Sequence, residues 1–215
     1  MSNLTSADLA RILRSGAARV QENHERLSRL DAATGDGDHG VTMKRVAEAI
    51  LASVADGQSL GVGPLLEQVG WNVLSVDGGS TTPLLGSFFM GMSEAVGGSP
   101  SLDGPALAAA FEGGLAKLRV QTPAKVGDKT MVDALLPAVE AMRQAADAGA
   151  EPAVLLVQAA DAAQRGAEKT SELQARFGRA RNLGPRTIGH VDPGATSIAL
   201  LFAGFRDGVK QCRAG

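Results

Sequence analysis

Apolar positions recur along this chain at helical rather than strand spacing. Leu9, Ile12, Leu13, Ala17 and Val20 follow a period near 3.6 behind Thr5-Ser6-Ala7-Asp8, a cap with an acid in the first turn. The same pattern predicts helices over 42–55, 63–76, 83–96, 104–120, 130–149, 151–170 and 194–210, separated by glycine, proline or aspartate. That makes eight. Leu135, Leu136, Val139 and Met142 give the sixth a buried stripe, and Pro137 within it should bend that helix or shift its start. Alanine seams at 107–110 and 159–163 allow close helix approach. No run of β-branched and aromatic residues alternates with period two, so no sheet is expected. The pattern therefore predicts an all-α antiparallel bundle, a single domain over residues 1–215 with no fixed-period repeat.

Composition narrows the function classes. A hydrophobic share of 44% with 20% charged residues is globular. Lysine and arginine total 21 against 23 acids, a net charge of −2, which lacks the basic footprint of a nucleic-acid binder. The longest uncharged stretch, residues 78–93, contains Ser80, Thr81, Thr82 and Pro83 and is too short and polar to span a bilayer, so no membrane partner is expected. The amino terminus shows no basic segment followed by an apolar run, and Cys212 is the one cysteine, which points to a reducing cytoplasm. Glycine is abundant, 27 of 215 residues against a usual share of about 7%. Its clusters suit turns and helix ends as well as close approach of backbone to a ligand.

Four segments carry candidate chemistry. The run Leu30-Asp31-Ala32-Ala33-Thr34-Gly35-Asp36-Gly37-Asp38-His39-Gly40 places three carboxylates within eight residues with no lysine or arginine among them. Such like charges need a cation or solvent, and hard oxygen ligands suit Mg²⁺. An EF-hand counted from Asp36 fails, because Val41 and Ala47 stand where glycine and bidentate glutamate are required. The plainer alternative is that the acids serve as turn and cap residues for the next helix. Asp77-Gly78-Gly79-Ser80-Thr81-Thr82-Pro83 ends one helix and starts another, and such a start is an anion site or merely a capped turn.

Val126-Gly127-Asp128-Lys129-Thr130-Met131-Val132-Asp133 groups glycine, lysine and threonine but lacks both the P-loop spacing and a preceding strand. Asp128 or Thr130 could cap the sixth helix there, and Met131 is core or an apolar wall for a base. The segment 178–195 brings Arg179, Arg181, Arg186, His190 and Asp192-Pro193-Gly194 to the start of the last helix, where arginine forks and free backbone donors match phosphate oxygens. His24 lies on a charged face and is expected to meet solvent. A zinc site from His39 and His190 lacks thiolates and suitable spacing. Jointly the segments describe a Mg-nucleotide site on a helical bundle.

At these motifs the chain resembles the DhaL family, the nucleotide-binding subunit or C-terminal domain of dihydroxyacetone kinases. The resemblance rests on Leu30-Asp31-x-x-x-Gly35-Asp36-Gly37-Asp38-His39-Gly40, Gly78-Gly79-Ser80-Thr81-x-Pro83-Leu84, Gly127-Asp128-Lys129-Thr130-Met131-x-Asp133-Ala134-Leu135, and Gly178-Arg179 through Gly189-His190-x-Asp192-Pro193-Gly194-Ala195. It implies an eight-helix antiparallel up-and-down barrel with ADP or ATP and two Mg²⁺ ions at one end. By that resemblance Asp31, Asp36 and Asp38 hold the metals. His39, Gly40, Val41, Thr42, Ser80, Thr81, Met131, Arg179, Asp192, Pro193 and Gly194 contact nucleotide, as does Thr122, at a position where glycine is common. Arg179 is also implied to assist phosphoryl transfer with the three aspartates.

The resemblance further implies a kinase half-enzyme. A partner subunit holds dihydroxyacetone through its own histidine, and a phosphotransferase-system protein is a possible phosphoryl donor. Thr82 stands where the family often has glycine, and Arg181-Asn182 replaces a commoner Ser-Tyr pair. Other readings are a nucleotide-state sensor docked on a transcription regulator, a kinase for another ketose such as erythrulose, and the nucleotide domain of a fatty-acid-type kinase, which usually carries further domains.

Overall fold

The first helix starts where its cap was expected. Thr5 Oγ1 accepts from the Asp8 amide while Asp8 accepts from the Thr5 amide, a reciprocal pair that opens α1 (Ser6–Glu22). In the computed structural model, which describes residues 3–56 and 60–213, there follow α2 (His24–Ala32), α3 (His39–Asp56), α4 (Val62–Leu74) and α5 (Thr81–Val96). The chain continues through α6 (Gly104–Gln121), α7 (Val132–Asp147), α8 (Pro152–Lys169) and α9 (Pro193–Arg213). Residues 1, 2, 57–59, 214 and 215 of the expected 1–215 unit lie outside the described residues.

Eight of these helices, 13 to 21 residues long, are the ones that the apolar period predicts. The ninth among the described residues, α2, was not expected. Its nine residues bury only Leu27, too little for a helical stripe to show. His24 opens it half-buried, with Nδ1 2.8 Å from the Gln21 carbonyl, rather than standing free in solvent. Two-residue segments β1 (Leu4–Thr5) and β2 (Ser101–Leu102) pair antiparallel and tie the amino-terminal end to the α5–α6 connection. They correct the expectation of no strand but are too short to carry a period-two signal. α7 runs through Pro137 and starts at Val132, two residues later than expected.

Consecutive helices pack side by side from α3 to α9, and α1 closes the ring by contacting both α9 and α3. The interior is filled by Phe88, Phe89, Phe111, Phe202 and Phe205, whose rings meet edge-on or tilted at centroid distances of 5.5 to 6.4 Å. Burying each contributes roughly 2–3 kcal/mol. Where α1 crosses α9, a Cβ on Gly204 would collide with the Gly16 backbone, so glycine sets the helix separation at that crossing. Among the described residues no helix is long and apolar enough to cross a membrane.

The even-numbered helices α2, α4, α6 and α8 end at the same end of the ring where α3, α5, α7 and α9 begin. Helix starts, with their free amides, and helix ends therefore alternate around one rim.

Candidate functional site

α2 delivers Asp31 to this rim at its last turn. The Gly35 amide donates to the Asp31 carbonyl at 2.5 Å, Gly37 turns the chain at a φ of 80°, and α3 then begins at His39. One carboxylate oxygen from each of Asp31, Asp36 and Asp38 lies within 4.8 Å of the others. Asp31 also accepts from the His39 amide at 3.2 Å, which ties the start of α3 to the end of α2. A Cβ on Gly40 would overlap the His24 carbonyl and the Ser28 hydroxyl, so glycine there lets α3 approach α2. Asp36 and Asp38 are exposed, and Arg179 ion-pairs with both, at 3.4 Å to Asp38. The two acids hold the guanidinium still more firmly protonated, Asp38 foremost. Three converging hard oxygens fit a divalent cation such as Mg²⁺. Among the described residues they are the one group of three or more acids, histidines or cysteines so placed.

A cleft of about 530 Å³ opens beside the acids. Ser80, Thr81, Pro83 and Leu84 at the start of α5 line it, as do Gln121, Thr122 and Ala124 after α6. Lys129, Thr130, Met131 and Val132 before α7, Phe177 to Ala180, and Asp192, Pro193 and Gly194 at the start of α9 complete the wall. Ser80 makes no side-chain cap to α5. Thr82 instead is buried and donates to the Gly78 carbonyl at 2.6 Å, so this departure from the family pattern braces the turn.

The wall opposite the acids is held from beneath. Asp133 accepts from the Gly127 amide at 2.6 Å and the Thr130 amide at 2.7 Å, folding the loop over the start of α7. Neither Asp128 nor Thr130 fills the N-cap position, which belongs to Met131; Asp128 accepts from the Lys125 amide at 2.9 Å, and Thr130 Oγ1 from the Val132 amide at 3.2 Å. Asp192 caps α9 by accepting from the Ala195 amide at 2.7 Å, with Pro193 at the first helical position. Burial pushes the Asp192 carboxyl up to about 7; nearby Asp133 and Asp31 add to this, and the Ala195 amide and Lys129 oppose it. His39 is buried, with Nε2 2.7 Å from Ser197 Oγ. Burial holds its pKa below the usual value, against the pull of Asp31 and Asp38.

Of the residues singled out from sequence, Asp31, Asp38, His39, Ser80, Thr81, Thr122, Met131, Arg179, Asp192, Pro193 and Gly194 line the cleft. Asp36 joins through the acid cluster. Gly40, Val41 and Thr42 do not line it: Gly40 is packed on α2, Val41 is exposed, and Thr42 lies buried where a Cβ on Gly78 would touch it. Arg181 and Arg186 are exposed and absent from the lining, so one arginine of three reaches the site. Sequence reasoning missed Lys129, Thr34, Leu84 and Phe177 as cleft residues; Phe177 directly precedes Gly178-Arg179, which was a usable signal.

The profile of the DAK2 domain matches residues 33–207. The chain is 37% identical to the PEP-dependent dihydroxyacetone kinase 1 ADP-binding subunit DhaL of Listeria innocua, covering 86% of this chain and 87% of that one. It is also 37% identical to the corresponding PEP-dependent subunit of Escherichia coli, over 83% and 85% respectively. Among solved structures, the dihydroxyacetone kinase of C. freundii in complex with AMP-PNP and Mg²⁺ superposes with a TM-score of 0.72 at 28% identity. That superposition covers 92% of this chain and 33% of the longer one, so this chain spans about a third of the solved kinase. The geometry of the rim and these likenesses agree, and the chain belongs to the DAK2 domain family.

Proposed function

We propose that this chain is the nucleotide-binding, phosphoryl-transferring subunit of a dihydroxyacetone (glycerone) kinase. The observation that carries the reading is the meeting of three carboxylate oxygens within 4.8 Å beside a cleft that Arg179 and the starts of α5, α7 and α9 also line. Asp31, Asp36 and Asp38 would hold Mg²⁺, two ions in this reading, which when bound supplies charge neutralisation to a phosphate tail.

The chain's own residues divide the remaining work. Ser80 and Thr81 at the start of α5 and Gly194 at the start of α9 present hydroxyls and backbone donors to phosphate oxygens at positive helix ends. The start of α3, where His39 lines the cleft and Gly40, Val41 and Thr42 stand behind it, adds a third positive helix end, and Asp192 and Pro193 shape the α9 end. Arg179 offers a planar fork to the charge that spreads over a transferring phosphoryl group. Met131, with Leu84 and Phe177, gives a base an apolar face, and Thr122 closes the edge of that pocket.

Binding of the ketose and deprotonation of its hydroxyl fall to a substrate-binding partner subunit. The chain spans 87% and 85% of two DhaL subunits, at 37% identity to each, and 32% of the L-erythrulose 1-kinase of Mycolicibacterium smegmatis, at 35% identity. Relatives named ADP-binding and PEP- or PTS-dependent support ADP as a resident group recharged by a phosphotransferase-system protein. Residues 1–215 then act as one domain, in the cytoplasm. The test combines the chain, its cognate substrate-binding subunit, dihydroxyacetone and either ATP or a charged phosphotransfer protein. Triose phosphate with the charged protein is expected; no product from either donor rejects the reading.

A further inference from the structure

Lys129 is the one non-glycine residue with positive φ among the described residues, at 61°, and it is buried with 3% exposure. Left-handed backbone is unfavourable for a lysine and persists where surrounding contacts fix it. Its ammonium donates to the Thr170 carbonyl at 2.6 Å and also to the His190 carbonyl. Those carbonyls bracket the segment 171–189, which carries Arg179 out over the acids. The base of the same segment is closed by the Gly189 amide on the Ser171 carbonyl at 2.7 Å and by the Asp192 amide on Thr170 Oγ1 at 2.8 Å. The ammonium's hydrogen bonds thus go to backbone carbonyls, while Asp192 accepts from the Ala195 amide.

We propose that Lys129 is a positioning residue that clamps both ends of the arginine-bearing segment with one ammonium and so sets Arg179 over the acidic cluster. A methionine would keep the apolar stem but donate to neither carbonyl, leaving the Thr170 carbonyl with the Leu173 amide alone and removing the tie between the two ends of the segment. The role rests on the Mg-nucleotide reading of the cleft, but the clamp itself can be measured without nucleotide.

The test compares wild type, Lys129→Met, Lys129→Arg and the same Lys129 changes on an Arg179→Ala background, by amide hydrogen exchange and by calorimetric titration with ADP and Mg²⁺. In Lys129→Met the Gly189 and Asp192 amides should exchange about tenfold faster or more while those of Leu66 and Phe89 stay unchanged. Affinity for Mg-ADP should fall about tenfold in the wild-type background but less than about twofold where Arg179 is already gone. Lys129→Arg should restore most of both. Unchanged exchange across 171–192 overturns the clamp. A full affinity loss on the Arg179→Ala background overturns positioning, since the lysine would then act on nucleotide directly. A wild-type chain that binds no Mg-ADP sinks the nucleotide reading and leaves the exchange result to judge the clamp. Should Lys129→Met not fold, Lys129→Gln, which keeps one donor, is carried through the same two measurements and judged by the same outcomes.

Discussion

Across the cleft, Asp36 and Asp38 stand in solvent with Arg179 as their partner, whereas Asp133 on the facing wall is buried and accepts from the Gly127 and Thr130 amides. The acidic wall keeps like charges close together, which favours a bound cation and costs the empty fold some repulsion. The facing wall spends its polar groups on backbone and so fixes the shape into which a ligand must fit. Two walls of one site therefore answer to mutation in opposite currencies, ligand affinity on one side and fold stability on the other.

The sharpest way to break that contrast is Asp38→Ala. Mg-dependent nucleotide affinity should fall about 100-fold or more, while the melting temperature of the ligand-free chain stays level or rises slightly as repulsion is relieved. Calorimetric titration and a thermal melt read both, and a melting point lowered by more than about 5 °C would erase the distinction between the walls. Next is Asp133→Ala, which leaves two amides without their acceptor in a half-buried loop. A loss of about 2–4 kcal/mol is expected, read by urea unfolding, with the acidic triplet untouched.

The Asp192 carboxyl supplies a pH-dependent comparison. Its pKa rises from 3.8 to about 7 on folding, so the native state binds more protons than the unfolded state between those values. The associated stability is fully present below about pH 4 and is lost as pH rises towards 7. Asp192→Asn should therefore gain roughly 3–4 kcal/mol relative to wild type between pH 4 and pH 8, measured by unfolding at each pH. A constant difference would mean that the carboxyl is not desolvated. The smallest effect belongs to Arg181→Ala, whose exposed side chain does not line the cleft: Mg-ADP affinity should change less than about twofold.

What the chain discloses before folding follows the range of the interactions involved. Long helices announce themselves because each buries a stripe, and the acid triplet does so because three like charges on a glycine turn need compensation. α2 stays silent, with Leu27 alone to bury. The work of Lys129 is invisible for another reason: its acceptors are main-chain carbonyls 41 and 61 residues away, which no residue type encodes. Nor does composition separate Arg179 from Arg181 and Arg186; a run of 3-10 turns over Arg179–Thr187, kinked at Gly184, decides which of the three faces the acids.

The most direct test of the central claim is a crystal structure of the chain with ADP and Mn²⁺ in place of Mg²⁺, read by anomalous difference density. The account predicts metal peaks at about 2.1–2.2 Å from the carboxylates of Asp31, Asp36 and Asp38, with the diphosphate between them and the starts of α5 and α9. Metal bound elsewhere, or nucleotide seated away from those three side chains, would contradict it.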